Sequence, residues 1–221
     1  MKRQYLGDSK DSFKWDYHDY LTSALMYPTL NIMLMLTPDD YSRDGQTHPQ
    51  LFNARKPVIE FCCDLGKERN VQLIQVLPTK TGASYRVELH KGEAFITNKN
   101  RAEYFSGLTA ENKQVLFLDP DNGFEPEKSR NEKHVLYGDI QTILEHVSEE
   151  AVLSVFQNFR RISFDKDFAR IRERLISGHA TAIYWNFLRF VVIGRARETI
   201  KKVIDVNCRY SQVNPAVKVI R

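Results

Sequence analysis

The segment VLFLDPDNG, residues 115–123, places two carboxylates and a carboxamide directly after an apolar run. Asp119 ends the run, Pro120 fixes the backbone, and Asp121 and Asn122 begin a turn. In α/β proteins, loops that follow buried strands commonly carry catalytic and binding residues. The same residue types also make ordinary tight turns. The apolar run favours a site, and we predict that Asp119, Pro120, Asp121 and Asn122 contribute to catalysis.

A second group of polar residues lies near the amino terminus, in QYLGDSKDSFK. Asp8 is a good helix N-cap, Asp11 lies three residues later, and Gly7 supplies the preceding turn. The carboxylates could form only a solvated helix face. Alternatively, the free N–H groups of the helix start bind an anion, with Tyr5 and Lys14 adding an aromatic ring and a charge.

Three further carboxylates, Asp39, Asp40 and Asp44, follow an apolar segment in LTPDDYSRDGQTH. Carboxylates so placed can hold Mg²⁺ or accept hydrogen bonds from a ribose, and the segment is also compatible with a simple turn. The sequence contains no GxGxxG, GxxxxGK[ST], HExxH or GxSxG motif. These absences argue against a conventional dinucleotide, P-loop or serine-hydrolase site.

The segment SVFQNFRR ends another apolar run on Gln157, Asn158, Arg160 and Arg161. These side chains could bind a phosphate or a base edge, although a solvated strand end is the simpler interpretation. Lys and Arg outnumber Asp and Glu from Arg160 onward. The basic segments 166–174 and 195–209 could contact a nucleic-acid backbone, or they could be solvated helix faces.

The order of apolar patterns predicts a three-layer α/β sandwich around a mostly parallel sheet. Loops 37–45, 78–82 and 119–125 are expected at one edge of that sheet. The predicted helices cover 8–27, 49–65 (ended by Gly66), 99–107, 140–146, 165–177 and 196–209. The predicted strands cover 30–36, 71–78, 83–89, 115–119 and 151–157, with one strand or a strand pair at 181–193.

Composition is that of a folded chain: 42% of the 221 residues are hydrophobic, and the net charge is +4. We expect a single α/β domain over residues 1–221, with a basic part from about residue 160. Three cysteines form neither a disulfide framework nor a metal-binding pair, and no signal peptide or membrane span is predicted. These features indicate a cytoplasmic protein, with no indication of its oligomeric state.

Two of these segments together resemble a known family. Tyr5-Leu-Gly-Asp-Ser-Lys-Asp-Ser-Phe-Lys14 and Leu118-Asp-Pro-Asp-Asn122 are similar to motifs of the large-subunit ribosomal RNA adenine methyltransferases of the J type. The resemblance implies a Rossmann-like, methyltransferase-like fold and S-adenosylmethionine as cofactor. It places Gly7, Asp8, Asp11 and Lys14 near the cofactor, and Asp119 and Pro120 near a target amino group.

The chain departs from this family at three points. Asp121 replaces a second proline, Asn122 replaces an aromatic residue that stacks on the target base, and Thr37-Pro-Asp-Asp40 replaces a glycine-rich loop. The combination of GDxxDxxK with DPDNG is closer to a set of bacterial and phage proteins without an assigned activity. Tyr5, Asp39 and Asp40 complete the predicted cofactor site, and Gln157, Asn158, Arg160 and Arg161 form the predicted substrate site.

Three hypotheses about function follow. The first is a methyltransferase-like enzyme that acts on nucleic acid. The second is a Mg²⁺- or Mn²⁺-dependent phosphodiesterase or nuclease whose metal ligands are Asp8, Asp11, Asp119 and Asp121, with Asp39 and Asp40 nearby. The third is a non-catalytic binding module from a phage or a defence system. Fold alone does not distinguish among them.

Overall fold

The computed structural model describes residues 1–40, 45–108 and 113–221, and within them a seven-stranded sheet is flanked by helices. The strands are β1 (Thr29–Met33), β2 (Arg86–Leu89), β3 (Gln114–Leu118), β4 (Gly123–Phe124), β5 (His134–Val135), β6 (Val152–Asn158), β7 (His179–Trp185), β8 (Leu188–Gly194) and β9 (Lys218–Ile220). The helices are α1 (Ser9–Ala24), α2 (Lys56–Glu68), α3 (Leu77–Thr81), α4 (Arg101–Tyr104), α5 (Tyr137–His146), α6 (Phe164–Arg174) and α7 (Arg197–Val213). Three 3₁₀ helices cover Arg3–Tyr5, Pro49–Leu51 and Val71–Val76.

The central sheet has the strand order β2-β1-β3-β6-β8-β7-β9, and β4 and β5 form a separate parallel pair. Strands β2, β1, β3 and β6 are parallel to one another. β8 is antiparallel to β6 and β7, so β7 has the same direction as β6. The result is the predicted mixed α/β architecture with a mostly parallel sheet, and segment 181–193 forms a hairpin rather than one strand.

The core consists of two apolar clusters, one on each face of the sheet. Val115 and Phe117 of β3 pack into one cluster, whereas Leu116 and Leu118 pack into the other. This alternation follows from the two-residue period of a strand. Helices α1, α2, α3 and α7 cover the first face, and α4, α5 and α6 cover the second. The VLFLD segment is therefore an interior strand, as predicted.

Several predicted elements differ from the structure. Residues 71–78, predicted as a strand, form a 3₁₀ helix followed by the start of α3. The helix predicted at 49–65 is α2, which begins at Lys56 and continues through Gly66 to Glu68. β1 ends at Met33, three residues before the predicted end. The helix predicted near 99–107 is the short α4.

Segment 78–82 lies at the opposite edge of the sheet from the DPDNG turn, so the prediction of one shared edge is wrong for this loop. The Thr81 hydroxyl donates to Asp19 on α1 at 2.8 Å, and the Arg86 N–H donates to the Pro28 carbonyl at 2.9 Å. Both contacts lie at the amino ends of β1 and β2. Of the helices in the described ranges, none has the length and apolar character needed to cross a lipid bilayer.

Candidate functional site

The carboxyl ends of β1 and β3 flank a switch point in the sheet. β1 lies between β2 and β3, and the chain continues from β1 to β2 on one side and from β3 to β6 on the other. Connections that diverge in this way leave a crevice beyond the strand ends, where open α/β sheets bind ligands. Asp119 follows β3 immediately, so its side chain enters this crevice.

A cavity of about 230 Å³ occupies the crevice. The lining residues that the sequence predicted are Tyr5, Asp8, Asp11, Lys14, Asp119, Pro120, Asp121, Asn122 and Asn158. The structure thus brings the start of α1 and the DPDNG turn to one site. Gly7 precedes the first turn of α1 without lining the cavity.

Helix α1 is held over β3 by buried aromatic residues. Trp15 packs edge-on against Phe117, with ring centroids 6.0 Å apart, and the His18 ring lies 3.9 Å from the Phe117 ring. His18 Nε2 is also 2.8 Å from Ser154 Oγ on β6. Burial lowers the pKa of His18 to about 3, so its imidazole is neutral and can pack in the core. These contacts fix Lys14, on the same helix, above the end of β3.

Lys14 forms a buried ion cluster with two carboxylates. Its Nζ lies 2.7 Å from Asp11 Oδ1 and 2.7 Å from Asp119 Oδ2, and all three residues are at most 4% exposed. Burial lowers the pKa of Lys14, but Asp11 and Asp119 outweigh burial and hold that pKa above its ordinary value. Burial raises the pKa of Asp119, and Lys14 opposes this change. The ammonium group therefore remains charged and orients both carboxylates.

The N–H groups at the start of α1 are already hydrogen-bonded to the side chains of Asp8 and Asp11. Asp8 accepts hydrogen bonds from the N–H groups of Lys10 and Asp11, each at 2.9 Å, and Asp11 Oδ2 accepts from the Gly7 N–H at 2.9 Å. Gly7 has a φ of +80°, and any side chain there would clash with the backbone of α2. Asp8 is therefore the N-cap of α1, as predicted, and the N–H groups of Lys10 and Asp11 are not available to bind an anion.

Asp8 has an unusual electrostatic environment, which gives the first prediction. Burial, followed by repulsion from Asp11, raises the pKa of Asp8 from 3.8 to about 6. Between these values the folded protein binds more protons than the unfolded chain, so stability falls as pH rises from about 4 to 6. We expect Asp8→Asn, which keeps a capping oxygen, to gain about 3 kcal/mol relative to the wild type between pH 4 and pH 7.

Urea denaturation of both proteins over this pH range measures the difference in the free energy of unfolding. Asp8→Ser also removes the charge and retains a cap, so it should give the same trend with pH. If the difference in the free energy of unfolding between the two proteins stays constant from pH 4 to pH 7, folding does not raise the pKa of Asp8.

The DPDNG turn is held by the last two residues of β6, Gln157 and Asn158. The Asn158 side chain donates to the Asp121 carbonyl at 3.0 Å, and Gln157 Oε1 accepts from the Phe124 N–H at 2.8 Å. Gly123 has a φ of +94°, and a side chain there would clash with Gln157. The buried Gln157 also donates to the Asn158 carbonyl at 2.7 Å. Gln157, a predicted substrate-binding residue, is buried, and its hydrogen bond to Phe124 holds the turn in place.

Residues 1–5 form the wall of the cavity opposite α1. Lys2 is paired with Asp40, and its Nζ lies 3.7 Å from Asp121 Oδ2. Asp121 Oδ2 also accepts from the Thr37 hydroxyl at 3.2 Å. The amine of Met1 donates to the carbonyls of Met35 and Asp119 at 2.9 and 3.1 Å. These bonds join the loops after β1 and β3.

Asp39 and Asp40 lie outside the cavity lining. Both are exposed, and Asp39 Oδ1 accepts from the Gln4 N–H at 3.2 Å. Asp39 and Asp40 contact Gln4 and Lys2, so residues 1–5 connect them to the cavity. The third carboxylate of this loop, Asp44, lies outside the described residues, as do its neighbours at positions 41–43.

Five lining residues were not predicted from the sequence: Met1, Lys2, Lys10, Lys133 and Phe156. Lys10 lies inside the GDxxDxxK segment, so its position on the first helical turn was a usable signal. Lys133 reaches the site because the Asn122 N–H donates to its carbonyl at 2.9 Å. No sequence pattern near Lys133 predicts its contact with Asn122.

A second, larger cleft adjoins the cavity. It has a volume of about 620 Å³, and Asn122 and Asn158 line both spaces. The cleft is lined by five cationic side chains, Lys128, Arg160, Arg161, Arg170 and Arg174, against two acidic ones, Glu127 and Asp167. Arg160 and Arg161 thus lie in this cleft, as their predicted role in substrate binding requires.

Three of the four carboxylates that line the cavity, Asp11, Asp119 and Asp121, form ion pairs with lysines. Within the described ranges, no group of three or more His, Cys, Asp or Glu residues is arranged to hold a metal ion. The Lys14 ammonium group lies between Asp11 and Asp119, and Lys2 lies near Asp121. A divalent cation at Asp11 and Asp119 would therefore be repelled by Lys14.

Comparison of the chain with protein-family models and with curated proteins found no match. The function of the cavity must therefore be argued from its own residues.

Proposed function

We propose that the protein is a methyltransferase-like enzyme that transfers a methyl group from S-adenosylmethionine to an amino group of a nucleic acid. One observation carries the proposal. Asp119 and Pro120 line a cavity at the switch point of the sheet, next to the first turn of α1, and this cavity shares Asn122 and Asn158 with a cationic cleft. A reactive centre joined to a surface of positive charge suits a polyanionic substrate.

The donor set of the cavity fits the amino acid end of S-adenosylmethionine, which carries one ammonium and one carboxylate group. Asp8 can accept from the ammonium group, with Asp11, which already binds Lys14, beside it, and Lys10 can pair with the carboxylate. Tyr5 and Phe156 add aromatic surface to the same space. Asp39 and Asp40, next to residues 1–5, are the candidates for contact with the ribose.

Asp119 and Pro120 would position the substrate nitrogen. S-adenosylmethionine, when bound, would supply an electrophilic methyl group. The bond from sulfur to the methyl carbon breaks as the bond to the substrate nitrogen forms, S-adenosylhomocysteine leaves, and the methylated nitrogen loses one proton to water. Lys14 contacts Oδ2 of Asp119, and we assign the other oxygen, Oδ1, and the Pro120 carbonyl as acceptors for the two N–H bonds of the substrate amine. Two acceptors around one nitrogen fix the direction of its lone pair, so their contribution is orientation. Asn122 would hold the base by hydrogen bonds in place of ring stacking.

The phosphodiesterase hypothesis uses the same carboxylates as metal ligands. The lysine contacts of Asp11, Asp119 and Asp121 weigh against it, because an ion cluster already balances these charges. We therefore treat metal-dependent hydrolysis as a competing outcome of the tests.

Transfer of label from S-adenosyl[methyl-³H]methionine tests the proposal directly. Total bacterial RNA and heat-denatured bacterial DNA serve as acceptors, and the labelled nucleoside is identified after digestion. We expect label on an exocyclic amino group of one nucleoside. Fragmentation of the acceptors that requires Mn²⁺, without incorporation of label, would replace methyl transfer by hydrolysis.

A further inference from the structure

Two exposed phenylalanines lie beside the cationic cleft. Phe187 is 70% exposed and lies in the two-residue turn between β7 and β8, whereas Phe159 is 40% exposed and follows β6. Their ring centroids are 5.5 Å apart, and the Phe159 N–H donates to the Phe187 carbonyl at 3.0 Å. Asn186, with a φ of +50°, meets the preference of a two-residue hairpin turn for Gly, Asn or Asp. Phe187 is not needed for the turn, and its exposed ring costs solubility and gains no core packing.

The aromatic pair rests on a fixed base. The Phe159 ring contacts Phe164 at 5.7 Å, and Phe164 contacts Tyr184 at 4.5 Å between ring centroids. The guanidinium of the buried Arg189 lies 4.7 Å from the Phe164 ring centre. The exposed rings therefore stand on a packed support that limits their movement.

Positive charge surrounds this aromatic pair. Arg161 and Arg170 are exposed, and neither has an ion-pair partner among the described residues. Arg161 has a φ of +60°, a backbone conformation that is uncommon for a residue other than glycine. Of the two acidic lining residues, Asp167 is already paired with Arg189 and Arg160. Both free guanidinium groups can therefore contact an anion.

We propose that this surface binds single-stranded nucleic acid, with bases stacked on Phe159 and Phe187 and phosphates bound by Arg161 and Arg170. Flat rings next to unpaired arginines match a chain of bases joined by phosphates. A duplex offers phosphates but keeps its base faces stacked on each other, so it cannot use the rings. The inference specifies the substrate class of the proposed function and rests on it, since the strand would continue from the cleft past Asn122 and Asn158 to Asp119.

Fluorescence anisotropy tests the inference without any methyl donor. Labelled oligo(dT) and oligo(U) of 15 nucleotides are compared with a duplex of the same length. We expect the single strands to bind more tightly than the duplex. Phe187→Ala should weaken single-strand binding by about 5- to 150-fold, the range for loss of one stacked base, and Phe187→Trp should retain it.

The arginines have a separate signature. Replacing both Arg161 and Arg170 by alanine should lower the salt dependence of binding by about 1.4 in the slope of log K against log salt concentration. Met26→Ala and Arg86→Ala, at exposed positions away from the cleft, are the matched controls and should bind as the wild type does.

Equal affinity for duplex and single strands, no effect of Phe187→Ala, or no binding by the wild type would each overturn the inference. These outcomes are independent of methyl transfer. Single-strand binding with the expected variant effects supports the inference even where no label is transferred, and transfer by a Phe187→Ala protein of unchanged affinity overturns it while leaving the proposed function intact.

Discussion

Replacement of Lys14 by methionine is expected to lower the free energy of unfolding by about 3–5 kcal/mol. The substitution keeps most of the side-chain volume but removes the ammonium group that lies 2.7 Å from both Asp11 and Asp119. Two carboxylates would then be buried without a counter-charge, and removal of one partner from a buried ion cluster has a large cost. Urea denaturation at pH 7.5 measures the change.

Lys10→Met is the matched control, because Lys10 is exposed on the same helix. We expect it to change the free energy of unfolding by less than about 0.5 kcal/mol. Adding Asp119→Asn to Lys14→Met should recover part of the lost stability, since it removes one of the uncompensated charges. A Lys14→Met protein as stable as the wild type would contradict the ion cluster.

Asp119→Asn is expected to lower kcat for methyl transfer by about 10²-fold or more. Asparagine has nearly the same shape, but it replaces one carboxylate oxygen by an NH₂ group, which cannot accept a hydrogen bond from a substrate amine. The loss should fall on kcat with little change in KM, because the interaction orients the nitrogen and contributes little to overall binding. The labelled-methyl assay with the identified acceptor measures both constants.

The matched control is Asp64→Asn, an exposed carboxylate on α2 paired with Lys80. It should retain the wild-type kcat. Circular dichroism must first show that the Asp119→Asn protein is folded at the assay temperature, because Lys14 loses one of its two anionic partners. A folded Asp119→Asn protein with a kcat within threefold of the wild type would remove Asp119 from the proposed mechanism.

A strand such as β3, in which consecutive residues are apolar, could be predicted from the sequence. The 3₁₀ helix at residues 71–76, which is also rich in apolar residues, could not be distinguished from a strand. β3 is buried at every position, so its sequence shows a continuous apolar segment. Segment 71–78 is equally rich in branched residues, but Val71, Ile74 and Leu77 are buried at intervals of three while Gln72 and Gln75 are polar. Burial at every third residue matches the period of a 3₁₀ helix, so the prediction of a strand at residues 71–78 is wrong.

The prediction that Gly66 ends α2 is wrong, because the helix continues to Glu68. Gly66 lies inside α2, where the backbone of Leu6 and Gly7 passes close to it. A side chain at Gly7 would clash with the backbone of α2, whereas a Cβ at Gly66 would lie 3.5 Å from the Leu6 carbonyl, an ordinary contact distance. Sequence rules interpret a glycine after a helical pattern as a stop signal, and a contact between residues 60 positions apart is invisible to them.

Part of the candidate site could be predicted from the sequence, and part of it could not. Residues at the ends of predicted elements, such as Asp8 and Asp119, could be assigned to one cavity because their elements meet at the carboxyl edge of the sheet. The pairing of Lys14 with Asp119 could not be predicted, since it depends on how far α1 lies along β3. The support that Gln157 gives the turn depends likewise on side-chain geometry.

The measurement that tests the central claim most directly is calorimetry of S-adenosylmethionine binding, because it requires no knowledge of the acceptor. The proposal predicts micromolar affinity for the wild type, loss of binding in Asp8→Ala, and unchanged binding in the control Asp64→Ala. Absence of binding by S-adenosylmethionine and S-adenosylhomocysteine would contradict the proposal. Binding of Mn²⁺ instead, removed by Asp119→Ala, would assign the cavity to metal-dependent hydrolysis.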